Sequence, residues 1–95
     1  MSVISKENIT KSNQLSDTEK IVVCQMLKWE EFFKAQGRED EDVFICTNEG
    51  GLIELNAHEL FKAINHLVDL EILKRRECDA VAYEWRNRNL LTELL

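Results

Sequence analysis

The chain predicts an α+β domain, and three observations carry that reading. Two segments place apolar residues at helical spacing behind capping signatures, and two others pair short β-branched or aromatic runs across turn residues. The length of 95 residues, 44% of them hydrophobic, supplies one core and rules out two stacked domains. The expected order is helix, hairpin, helix, hairpin, short terminal helix, in a single small domain.

Residues 1–15 contain scattered apolar side chains with neither a helical nor a strand period, so they are expected to form a flexible polar tail ahead of a domain spanning 16–95. The first helix starts at Asp17. There Ser16-Asp17-Thr18-Glu19 forms a capping box, in which the serine accepts from the first-turn N–H groups and the glutamate reaches back. Ile21, Val22, Cys24, Met26, Leu27, Trp29, Phe32 and Phe33 carry the helix about twenty residues, almost to Gly37, a residue suited to left-handed backbone after a helix end. This apolar surface is wider than one stripe, so the helix either sits centrally or offers a second face to a partner.

Arg38-Glu39-Asp40-Glu41-Asp42 places four acids in a row and reads as an exposed connection. Val43–Thr47, the turn Asn48-Glu49-Gly50-Gly51 and Leu52–Leu55 then read as a first hairpin. Asn56 caps a second helix over 57–70, where Ala57, Leu60, Phe61, Ile64, Leu67 and Val68 recur at spacings of three and four. A second hairpin joins Ile72–Glu77 to Ala80–Arg86 through Cys78-Asp79, and Tyr83 and Trp85 share a strand face. The last six residues hold four leucines, expected in a terminal helical turn that packs on the core or on a second subunit.

Residues 56–86, from Asn56 through Leu67-Val68-Asp69-Leu70-Glu71-Ile72-Leu73-Lys74-Arg75-Arg76 to Trp85-Arg86, resemble the recognition helix and wing of a winged helix-turn-helix domain. The resemblance covers about a third of the chain and implies a winged-helix-like fold and a small DNA-binding transcriptional regulator. It places the recognition role on the polar face of the second helix, which holds His58, Glu59, Lys62, Asn65, His66 and Asp69. There Asn65 could read adenine and Lys62 could contact guanine or phosphate. Glu71 stands where such domains commonly place glycine, so the chain must take left-handed backbone at a glutamate or leave the helix another way.

Charge is segregated along the chain. The formal net charge is −6, which disfavours a polyanion binder working by bulk attraction. Residues 1–55 hold 6 basic and 11 acidic residues, whereas residues 72–89 hold Lys74, Arg75, Arg76, Arg86 and Arg88 against Glu77, Asp79 and Glu84, a net +2. That local basic island is expected to bring Lys74–Arg76 beside Arg86 and to contact phosphates of double-stranded DNA. The alternative function is an acidic protein-interaction adaptor or inhibitor, DNA mimicry included, with the acids steering it toward a basic partner. A homodimer through the first helix or the C-terminal leucines fits either function.

Other chemistry finds little support. Cys24, Cys46 and Cys78 are widely spaced and show no Cys-x-x-Cys pair, so no metal site or cofactor is expected. No nucleophile–base motif, P-loop, Rossmann or EF-hand spacing occurs, and no catalytic residue or enzymatic activity is expected. The polar N-terminus fits neither a secretory signal nor a membrane anchor, and the expected location is cytoplasmic.

Overall fold

The computed structural model describes residues 4–37, 44–46, 52, 54–76 and 82–95. They form an α+β unit of helices against a three-stranded antiparallel sheet. The expected acidic connection at 38–42 and the two expected turns, at Asn48–Gly51 and Cys78-Asp79, lie outside the described residues.

The N-terminal segment departs from the expected tail. Lys6–Lys11 form a helix, α1, capped by the Ser5 side chain accepting from the Asn8 N–H. Ile9 is fully buried and Leu15 nearly so, which ties the segment to the core. Burying one such side chain contributes roughly 1.5–3 kcal/mol. The Ser12 hydroxyl donates to the Leu94 carbonyl, joining the two ends of the described chain. No local period announces this helix, because what stabilises it is contact with residues distant in sequence.

The long helix α2 spans Asp17–Ala35 and opens with the full expected capping box. Ser16 Oγ accepts from the Glu19 N–H at 3.2 Å, and Glu19 Oε1 accepts from the Ser16 N–H at 3.0 Å. Its buried stripe is Glu19, Val22, Val23, Met26, Glu30 and Phe33, so two carboxylates occupy core-facing positions. Beyond the C-cap Gln36, Gly37 takes φ +76° and donates to the Lys34 carbonyl.

β1 covers Phe44–Cys46, and its pairing corrects the expected first hairpin. Among the described residues its partner is the strand near the C-terminus, with Ile45 opposite Tyr83, and neither Leu52 nor Glu54 and Leu55 are in a strand. Leu52 is helical and buried, and the Leu55 N–H donates to its carbonyl. Apolar runs on both sides of a glycine pair suit a hairpin locally, but burial of Ile45 and Leu52 in one core decides otherwise.

The next helix, α3, spans Ala57–Asp69, with Asn56 Oδ1 accepting from the His58 and Glu59 N–H groups. Leu60, Ala63, Ile64 and Leu67 form its buried stripe against α2. It ends in a Schellman motif, in which Ile72 N–H bonds the Leu67 carbonyl and Glu71 N–H bonds the Val68 carbonyl. Glu71 sits at φ +64°, the left-handed backbone for which glycine is the usual solution.

β2 (Leu73–Arg75) and β3 (Ala82–Trp85) form the expected second hairpin, and β3 lies between β1 and β2. The chain closes in a 3-10 helix over Arg88–Leu94 that buries Leu91, as the terminal leucines led one to expect.

Candidate functional site

The exposed side of α3 is the surface on which recognition residues were expected. His58, Phe61, Lys62, Asn65, His66 and Asp69 line a shallow concavity there, together with Ala57 at the helix start. Lys62 and Asn65 are both exposed, and Lys62 makes no ion pair among the described residues. His66 is held differently. Its Nδ1 lies 2.6 Å from Glu19 Oε2, so one buried carboxylate caps α2 and tethers the outer face of α3.

The expected basic island does not form one cluster. In the β2–β3 ladder Leu73 faces Trp85, Lys74 faces Glu84 and Arg75 faces Tyr83, and the Arg76 N–H donates to the Ala82 carbonyl. Alternation therefore puts Lys74 and Arg76 on one face of the sheet and Arg75 on the other. Arg86 corrects the expectation most plainly. Its N–H bonds the Ile72 carbonyl at the base of the ladder, so it lies roughly 13 Å of strand away from Arg76.

The cations also differ in what they touch. Arg75 is exposed with no ion pair among the described residues, whereas Lys74 approaches Glu84 and Arg86 approaches Glu71, both at 3.7 Å. Pairs this long, each with at least one solvated partner, are worth little. Arg76 is placed over the Phe44 ring, 4.4 Å from its centroid, at the end of an aromatic row through Phe33, Trp29 and Phe32.

Arg88 was expected to contact phosphate, and here the structure corrects the expectation. Its Nη2 donates to Glu30 Oε2 at 2.9 Å, and its Nε lies 2.5 Å from Oε1 without the alignment of a hydrogen bond. An arginine neutralising a buried carboxylate is not free for a ligand. The signal was present in the sequence: Glu30 falls on the apolar stripe of α2, a place that requires a cationic partner.

Among the described residues no group of His, Cys, Asp or Glu could hold a metal ion, and no helix is long and apolar enough to cross a membrane. No protein-family model matches the chain, and no curated protein or solved structure is significantly similar to it.

Proposed function

We propose that this domain binds duplex DNA as a small transcriptional regulator, with α3 at the major groove and the β2–β3 hairpin on the backbone. One observation carries the reading. Lys62 and Asn65 on α3, and Lys74 and Arg75 on β2, the strand that follows it, are all exposed on consecutive elements of one small unit. A helix, a strand, a second helix and two further strands in sequence, with β3 between β1 and β2, are compatible with the resemblance drawn from residues 56–86. Asn65 supplies base-edge readout, while Lys62, Lys74 and Arg75 supply phosphate contacts. Arg76 and Arg86 are peripheral, and Arg88 is structural. A cytoplasmic location and a homodimer reading a palindromic site belong to the same proposal.

A second reading is favoured by a specific observation. Lys74, Arg86 and Arg88 all lie against the protein's own carboxylates, and the chain is net −6. An acidic protein-binding adaptor would have this internal neutralisation. Fluorescence anisotropy with a mixed-sequence duplex at about 50 and 200 mM salt separates the two. Binding that weakens steeply with salt is the expected result; no binding at the lower salt overturns DNA recognition and leaves the adaptor.

A further inference from the structure

The outer face of α2 leaves two large apolar side chains about half exposed, one of them, Phe32, packing its covered side on the Trp29 and Phe33 rings. Ile21 is 40% exposed and Phe32 48%, and they stand eleven residues apart, about three helical turns, on one side of the helix. Their neighbours repeat the spacing with opposite charge. Lys20 precedes Ile21 and Glu31 precedes Phe32, so the same eleven-residue step separates a cation from an anion.

Such a pattern is complementary to its own reverse. If two copies of α2 lie antiparallel about a two-fold axis level with Met26, Lys20 of one comes within about one residue rise, ~1.5 Å along the axis, of Glu31 of the other. Ile21 likewise meets Phe32 of the second copy. The axis repeats each pair, giving a charged flank with two opposite-sign contacts and an apolar flank with two hydrophobic ones. Cys24 and Lys28 fall on the seam between the flanks, and the long stem of Lys28 lets its ammonium reach solvent. Lys20, Ile21, Cys24, Lys28 and Glu31 of this face line one side of an open groove of about 910 Å³, with Lys6 of α1 on another, so the face is recessed enough to receive side chains of the second copy.

We propose that this face of α2 is the interface of a two-fold homodimer, with antiparallel α2 helices paired through Lys20–Glu31 and Ile21–Phe32 contacts. The proposal deepens the homodimer part of the reading above and is independent of whether the domain binds DNA. Charge self-complementarity names the occupant: an unrelated acidic or basic partner would satisfy one end of the stripe and clash with the other.

Sedimentation equilibrium of the full chain without DNA, up to about 100 μM, tests it. The expected mass is twice the 11.1 kDa of one chain. Lys20→Glu sets like charges against each other twice and raises the dissociation constant about tenfold or more, as does Glu31→Lys. The double variant Lys20→Glu with Glu31→Lys restores opposite charges and recovers the dimer, which a folding defect would not do. Phe32→Ser weakens the dimer without reversing any charge. A monomeric wild type overturns the proposal, and so does a dimer indifferent to these substitutions, which would move the interface to the terminal leucines. Loss of DNA binding with dimerisation intact would overturn the functional reading alone.

Discussion

Arg88, in the terminal 3-10 helix, and Glu30, on the buried stripe of α2, form an ion pair of two contacts, at 2.5 and 2.9 Å, with the carboxylate almost wholly withdrawn from solvent. The C-terminal segment is thus fixed to the longest helix by charge as well as by Leu91. Removing one partner strands the other, which is costlier than losing both. Arg88→Met is expected to lower unfolding stability by about 3 kcal/mol in urea titrations, and Glu30→Leu with Arg88→Met by clearly less. Equal losses in the single and double variants would mean that the pair is not what anchors this segment.

The Glu19 carboxylate serves two helices at once, accepting from Ser16 N–H through one oxygen and meeting His66 through the other. Glu19→Ala removes both contacts and is expected to cost about 1–2 kcal/mol. His66→Ala removes only the tie to α3 and should cost less than Glu19→Ala. A double-mutant cycle read by thermal or urea unfolding checks this, with nonzero coupling between the two sites as the expected result.

Glu71 holds left-handed backbone at the exit of α3. That conformation costs a non-glycine residue of order 1 kcal/mol, partly offset for glycine by its greater freedom when unfolded. Its contact with Arg86 is long and exposed and contributes little. Glu71→Gly is expected to stabilise the domain by about 0.5 kcal/mol, and Glu71→Val to destabilise it by about 1 kcal/mol, in denaturant melts. Stabilisation by valine would contradict the assigned backbone.

Burial pushes the Cys24 thiol above its ordinary range, while the nearby Lys6 ammonium pulls it part of the way back. A folded-state value above the unfolded one means that the native chain retains the proton longer. The contribution of Cys24 to stability is therefore constant below the unfolded thiol range and falls as pH rises through it toward the folded value. Alkylation of Cys24 at neutral pH should be slower than that of a free thiol, and Cys24→Ala should flatten the alkaline decline in stability. Fast alkylation at neutral pH would contradict the burial argument.

Local chemistry made much of this fold readable. The Ser16–Glu19 capping box, the apolar period of α3 and the turn-separated runs at 73–85 each specify an element within a few residues of where it stands. Elements decided at long range were not readable. α1 exists because Ile9 is buried in the core and Ser12 reaches Leu94, and β1 pairs with a strand some forty residues away. The basic residues illustrate the same limit at the candidate site. Lys74, Arg75 and Arg76 are adjacent in sequence, yet strand alternation divides them between two faces, and the register sends Arg86 to the other end of the ladder. Glu71 was legible as a conflict, since its position in the resemblance demanded glycine geometry, and the chain accepts the strain there.

Amide chemical-shift mapping of the full chain, titrated with a mixed-sequence duplex at low salt, tests the central claim most directly. DNA recognition through α3 and the hairpin predicts that shifts concentrate at His58–Asp69 and at Lys74 and Arg75, weaken as salt is raised, and diminish in Lys62→Ala with Arg75→Ala. Unchanged spectra at the lowest salt, or shifts centred on the outer face of α2 with α3 silent, would contradict it.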